Sequence, residues 1–226
     1  MHRSRLPRCG GGCDSTPISR DDVLSWLKVY SQALAENKDY LTRLDSSIGD
    51  ADHGVNMERG FKAVLGKLPT VADKDIGTIL KSVGMTLVQT VGGASGPLYG
   101  TFFLQAGVAT ANKMELSLAD WVAAIDGAIT SLMARGKANV GDKTMVDALV
   151  PALHALKQAV ADGVDEREAL RQSVVAAEQG MKNTIPMVAR RGRASYLAER
   201  SAGHQDPGAT SSYLMFKAME EAWTTK

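Results

Sequence analysis

The stretch SRDDVLSWLKVYSQAL, residues 19–34, decides the fold class. Its apolar residues Val23, Trp26, Leu27, Tyr30 and Leu34 recur at three- and four-residue steps, the spacing that lines one face of a helix. Ser19 stands where a helix N-cap belongs, with Asp22 in the acidic first turn behind it. The same period returns along the chain. Met57, Phe61, Val64, Leu65 and Leu68 predict a second helix over residues 56–68, stopped by Pro69. Ile76, Ile79, Leu80, Val83, Leu87 and Val88 predict a third, and Phe103, Leu104, Gly107 and Val108 a fourth. Ser117 and Asp120 open a fifth, carried by Trp121, Val122, Ile125, Ile129 and Leu132. A sixth is expected over residues 144–160 with a kink at Pro151, and a seventh over residues 166–188, interrupted by Pro186. Tyr213, Leu214, Phe216, Lys217 and Met219 mark the last. Alternating strand patterns are nearly absent. The expectation is an all-α domain of seven to nine helices with short connections, hence mostly antiparallel neighbours in one bundle or closed ring.

Composition narrows the function classes. The 226 residues carry 26 Lys+Arg against 25 Asp+Glu, so no global field points to nucleic acid or an anionic membrane. No apolar run approaches the roughly 18 residues of a membrane span. Neither a direct nucleic-acid partner nor a membrane is expected. Cys9 and Cys13 fall in RCGGGCDSTP, which has no apolar core of a secretory signal. Residues 1–18 therefore read as a disordered tail with free thiols, and residues 19–226 as a single domain. The cysteine-free body fits a reducing, cytoplasmic setting.

Four loops are far richer in Gly and polar residues than a turn requires: LDSSIGDADHG, VGGASGPLYG, ARGKANVGDKT and RASYLAERSAGHQDPGATS. Function is expected at the loop end of the bundle. The first loop holds Asp45, Asp50 and Asp52 within eight residues. Two carboxylates at 4 Å repel by about 4 kcal/mol at an effective dielectric near 20, so three converging ones need a cation, or enough separation for water to screen them. Asp50 and Asp52 point to one side if the segment is extended, and Gly49 and Gly54 let the chain bend to bring in Asp45. Oxygen ligands without thiolates suit Mg2+ or Ca2+. An EF-hand fails, because Gly54 and Phe61 hold its fifth and twelfth positions. The competing reading is that these aspartates cap helices or turns. His53 is a poor ligand for Mg2+ and reads as a hydrogen-bonding residue beside phosphates, or as a structural one.

VGGASGPLYG can aim backbone N–H groups at phosphate oxygens, with Ser95 adding a hydroxyl. It is not a P-loop, and GDKT at residues 141–144 has Asp where that motif needs Gly. Arg193 and the Asp206-Pro207-Gly208-Ala209 turn are further candidates, with Thr210 or Ser211 capping the final helix. Lys137 and Lys143 either neutralise phosphate or are simply exposed.

Taken in order, GDADHG with Asp45 before it, GMTL, VGGASGPLYGTFF, RGKANVGDKTM and GRASYLAERSAGHQDPGATS resemble the L subunit of bacterial dihydroxyacetone kinase. The match runs from about Ser19 to the last helix. The resemblance implies an eight-helix antiparallel up-and-down barrel that binds ADP or ATP through two Mg2+ ions, in glycerol metabolism. It implies Asp45, Asp50 and Asp52 as magnesium ligands, and His53, Gly54, Val55 and Asn56 as nucleotide contacts. Ala94 and Ser95 fall in its phosphate loop, Gly136 and Met145 near the base, and Arg193 with Asp206, Pro207, Gly208 and Ala209 in the segment that covers the nucleotide. It further implies two partners. An M subunit of the phosphotransferase system rephosphorylates bound ADP from phosphoenolpyruvate, and a K subunit presents dihydroxyacetone. Acceptor-activating groups are then expected on K, and no general base on this chain. The alternatives are an ATP-using kinase subunit for another small ketose or polyol, and a nucleotide-sensing co-regulator of a transcription factor.

Overall fold

The computed structural model describes residues 17–224. The expected tail with Cys9 and Cys13 lies outside the described residues, except for Pro17 and Ile18. Ile18, assigned to the tail on sequence, is instead core. Ile18–Ser19 (β1) pairs antiparallel with Glu115–Leu116 (β2), and Ile18 and its partner Leu116 are both buried.

Nine α-helices follow among the described residues: α1 (Arg20–Glu36), α2 (Lys38–Ile48), α3 (His53–Lys67), α4 (Ile76–Thr90), α5 (Ser95–Ala109), α6 (Leu118–Gly136), α7 (Val146–Ala161), α8 (Glu166–Asn183) and α9 (Pro207–Thr224). Short 3-10 turns occupy Leu68–Thr70 and Arg193–Ser201. α1 and α2 share Asn37 as C-cap and N-cap, so together they form one bent element. Eight segments then run up and down, each packed on the next, and α1 against α9 closes the ring. The all-α, eight-helix antiparallel barrel expected from the sequence is the architecture.

Individual elements differ from expectation for physical reasons. α2 escaped notice because its buried positions are Leu41, Asp45 and Ile48, so an acid interrupts the apolar stripe. α5 begins at Ser95, inside what reads as a loop. Pro97 is tolerated in its first turn, and Gly100 is helical because α4 comes too close for a side chain. A Cβ on Gly84 would meet the Gly100 carbonyl oxygen at 2.8 Å, and one on Gly77 would meet that of Gly107 at 2.6 Å. α8 stops at Asn183, short of Pro186. Pro151 lies within α7 and leaves the Asp147 carbonyl without a helical donor. Gly180 of α8 packs against that oxygen, where a Cβ would overlap it.

The two ends of the barrel differ. At the β1–β2 end, Trp26, Trp121 and Trp223 stack edge to face in the core. Trp223 Nε1 donates to the Asp22 carbonyl at 2.9 Å, tying the last helix to the first. Every helix that starts here is capped by the residue before it. Ser19, Asp75, Ser117 and Asp165 accept from the third residue beyond, at 3.2, 3.1, 3.0 and 3.0 Å.

Candidate functional site

The opposite end collects the C-termini of α2, α4, α6 and α8 and the N-termini of α3, α5, α7 and α9. The residues preceding α3, α5 and α7, namely Asp52, Ala94 and Met145, make no side-chain cap hydrogen bond. Four helix N-termini, each with a partial positive charge, therefore gather around one cavity of about 460 Å³. That volume lies within the range of small-molecule and cofactor sites.

The three aspartates meet at its rim. One ligand atom from each of Asp45, Asp50 and Asp52 lies within 4.8 Å of the others. The geometry is not the extended one expected. Ala51 sits at φ +60, and this left-handed residue turns the chain between Asp50 and Asp52. Asp45 projects from the buried face of α2, and its Oδ2 accepts from the backbone N–H of Asp52 at 2.9 Å and of His53 at 3.1 Å. The capping reading is thus right for one oxygen of one aspartate. The other, Oδ1, lies beside Gly49, where any Cβ would overlap it. Gly54 plays no part in the bend; it lies within α3, packed on Lys38 and Thr42 of α2. Three hard oxygen donors with one pre-oriented by a helix N-terminus fit a divalent cation.

His53 is buried and bridges two elements. Nδ1 is 3.1 Å from Ser95 Oγ at the start of α5, and Nε2 is 2.9 Å from Ser211 Oγ in α9. Burial lowers its pKa to about 4, against the pull of Asp45, Asp52 and Asp50, so the ring is neutral near pH 7. The Tyr99 hydroxyl lies 2.7 Å from the same Ser211 Oγ, and the Tyr30 hydroxyl donates to the Ser211 carbonyl at 3.0 Å. This network fixes Ser95 relative to α9.

Gly92, Gly93, Ala94 and Ser95 line the cavity, with Gly93 at φ +64 aiming the turn toward the α5 N-terminus. Gly136 and Met145 also line it, together with the apolar Leu98, Leu132 and Val146. Asp206, Pro207 and Gly208 form a further wall. Asp206, rather than Thr210 or Ser211, caps α9 by accepting from the Ala209 N–H at 2.6 Å. Its carboxyl is pushed up to about 7 by burial, with the Ala209 bond opposing and Asp147 adding to the rise. Arg193 reaches across the mouth to Asp50, with NH2 to Oδ2 at 3.0 Å.

Four expected contacts lie off the cavity wall. Gly54 is buried against α2, and Val55 is 46% exposed. Asn56 is held by Arg59, whose NH2 donates to its Oδ1 at 2.7 Å. Ala209 is buried behind the Asp206 cap. Other wall residues were not anticipated, including Arg135, Thr144 and Arg191. Lys137 is exposed at a left-handed C-cap, whereas Lys143 is buried and also lines the cavity.

A family model described as the DAK2 domain matches residues 47–221. The chain is 48% identical to the PEP-dependent dihydroxyacetone kinase ADP-binding subunit DhaL of Escherichia coli, over 89% of this chain and 96% of that one. It is 39% identical to the PTS-dependent dihydroxyacetone kinase ADP-binding subunit DhaL of Lactococcus lactis, over 90% of this chain and 98% of that one. Its fold is similar to that of the C. freundii dihydroxyacetone kinase solved in complex with AMP-PNP and Mg2+. There the TM-score is 0.69 at 24% identity, over 98% of this chain and 38% of that one. No helix among the described residues is long and apolar enough to cross a membrane.

Proposed function

This chain belongs to the DAK2 domain family, and from that premise we propose that it is the nucleotide-carrying subunit of a phosphoenolpyruvate-dependent dihydroxyacetone kinase. ADP, held with two Mg2+ ions as a resident coenzyme, would supply a phosphoryl carrier: a phosphotransferase-system M subunit charges it, and a K subunit brings the dihydroxyacetone that receives the group. The compartment this reading requires is the cytoplasm, where ADP is found.

The observation that carries the reading is the convergence of three carboxylates and four helix N-termini on one cavity. Asp45, Asp50 and Asp52 hold the cations that offset polyphosphate charge. Backbone N–H groups at Gly92, Gly93 and Ser95 face the phosphates without a side-chain cap competing for them. Leu98, Leu132, Met145 and Val146 receive the base. His53, being neutral, adds no charge at the phosphates and holds the Ser95 hydroxyl in place. Positioning and electrostatics of this kind account for most of the catalysis of phosphoryl transfer. Nothing in the cavity is assigned as a base toward the acceptor alcohol, which the K subunit would activate.

Denaturing freshly purified protein should release ADP and Mg2+. Asp50 is the informative substitution, because its carboxylate pairs with the exposed Arg193, whereas Asp45 also caps α3. Asp50→Ala should abolish nucleotide retention and leave helicity intact; retention equal to the parent's would refute the assignment. Triose phosphate formation with K, M and phosphoenolpyruvate, and none with K and ATP alone, is the expected outcome for a coenzyme. The reverse pattern would make the nucleotide an exchangeable substrate.

A further inference from the structure

Lys143 is buried to 1% exposure, and its ammonium donates to main-chain oxygens. Nζ donates to the carbonyls of His204 at 2.5 Å, Thr184 at 2.8 Å and Met187 at 3.1 Å, with Ile185 O further off at 3.4 Å. Three short bonds use the three protons of the ammonium. The acceptors come from the two ends of one segment: residues 184–187 follow α8, and His204 shortly precedes α9. Residues between them, including Arg191, Gly192, Arg193 and Ala194, form a wall of the cavity.

Other contacts make the wall a unit. Gly203 N–H donates to Ile185 O at 2.7 Å, Ala189 N–H to Ser201 Oγ at 2.8 Å, and Arg190 N–H to Asp142 O at 3.1 Å. Ala189 and Ala194 pack with Ile48 at the end of α2. Lys143 itself comes from the loop between α6 and α7, which also supplies Ala138, Thr144 and Met145 to the cavity lining. It adopts φ +61, an uncommon conformation for a side-chain-bearing residue, and its side chain is buried.

We propose that Lys143 is a positioning residue, a fixed cation that clasps both ends of the wall segment to the base-side loop and thereby sets how long a nucleotide stays in the cavity. This rests on the nucleotide-carrying role proposed above. Without the ammonium, three or four buried carbonyl dipoles would face one another unpaired, and the wall would open. The α8 C-terminus, whose dipole favours a cation, would lose it as well. Burial lowers the Lys143 pKa while Asp206 raises it, so the ammonium has a nearby carboxylate that favours its charge.

The test is Lys143→Met, which keeps the stem and removes the charge, with Lys137→Met as a control that loses an exposed charge from the same loop. Each protein is loaded with a fluorescent N-methylanthraniloyl ADP and Mg2+ and chased with excess ADP. Lys143→Met should release the probe at least tenfold faster and become sensitive to trypsin at residues 190–193. Its far-UV circular dichroism should be unchanged. Lys137→Met should release within twofold of the parent. Release from Lys143→Met within twofold of the parent would overturn the clasp. If Lys143→Met does not fold, hydrogen exchange of the parent decides. The amides of Ala189, Arg190 and Gly203 should exchange at one common rate, and unrelated rates would overturn the proposal. A parent that binds no nucleotide defeats the functional assignment instead, and that exchange experiment still reads the clasp.

Discussion

In the proposed role Asp45 does two jobs with one carboxylate, and the residue beside it makes room for this. Oδ2 closes the N-terminus of α3, and Oδ1 lies where a Cβ on residue 49 would overlap it, so Gly49 keeps that oxygen open to a cation. Gly49→Ala should therefore cost cation binding without removing a single ligand. Mg2+-dependent ADP retention should fall at least tenfold, with helicity preserved, as read by equilibrium dialysis and circular dichroism. Unchanged retention would mean that Asp45 does not face the cation. His53 offers a second check in metal-free protein. Its folded pKa, about 4, lies below the roughly 6.5 of an unfolded histidine. Its contribution to stability is therefore full above pH 6.5 and is lost as pH falls toward 4, by about 3 kcal/mol. His53→Gln, still able to hydrogen-bond, should flatten the pH dependence of denaturant unfolding over that window. A curve as steep as the parent's would place the titration elsewhere. The acidic triplet was legible in the sequence because three like charges so close demand a partner. Its geometry was not: Ala51 carries a left-handed turn that alanine rarely adopts, and no residue pattern announces it.

At the level of elements, α4 and α5 show how the turn at residues 91–94 is held. Gly77 and Gly84 face Gly107 and Gly100, so two backbones approach to carbonyl contact and the connecting turn at residues 91–94 is drawn tight. Gly84→Ala puts a methyl 2.8 Å from two backbone atoms, Gly100 O and Leu104 N, which cannot yield as a side-chain tip would. A loss of about 1–3 kcal/mol is expected. Gly127 in α6 is exposed with nothing near its missing Cβ, and Gly127→Ala should instead gain about 0.5–1 kcal/mol. Thermal melts of the pair should move in opposite directions; a neutral or stabilising Gly84→Ala would show that the helices can part. Helix periods were plain wherever an apolar stripe faced the core, as in α1 and α6. They were hidden where the stripe served another purpose. Asp45 broke the pattern of α2, and glycines chosen for close approach made the first turns of α5 read as a loop.

Across the whole molecule, the ends of the barrel are specialised. One end caps each of its helices with the residue just before it and packs all three tryptophans, and the other turns helix N-termini, those of α3 and α9 held by Asp45 and Asp206, toward a cavity. That the four Gly-rich loops share one end could be read from the sequence, since short connections alternate the ends. Which of their residues reach the cavity could not, since the burial of Ala209 and the turn of Lys143 inward depend on packing between distant segments. The joined ends lead to a prediction. Trp26 donates to the Met215 carbonyl, eight residues and about 12 Å at 1.5 Å per residue from the open-end start of α9, and Trp121 and Trp223 lie toward the far end, so no tryptophan touches a ligand at the open one. Tryptophan emission should not change when ADP and Mg2+ bind. The tryptophan-detected melt should nonetheless shift upward, because the continuous core makes a single cooperative unit and a ligand that binds only the folded state stabilises all of it. At a hundred times Kd the gain is about 2.7 kcal/mol. For a chain of this length each kcal/mol corresponds to roughly 2–4 °C. EDTA should cancel the shift, since the carboxylates cannot share the space with a polyphosphate without cations between them. A melt unmoved by Mg2+ and ADP at the tryptophans, with protection confined to the open end in hydrogen exchange, would show that the two ends unfold independently.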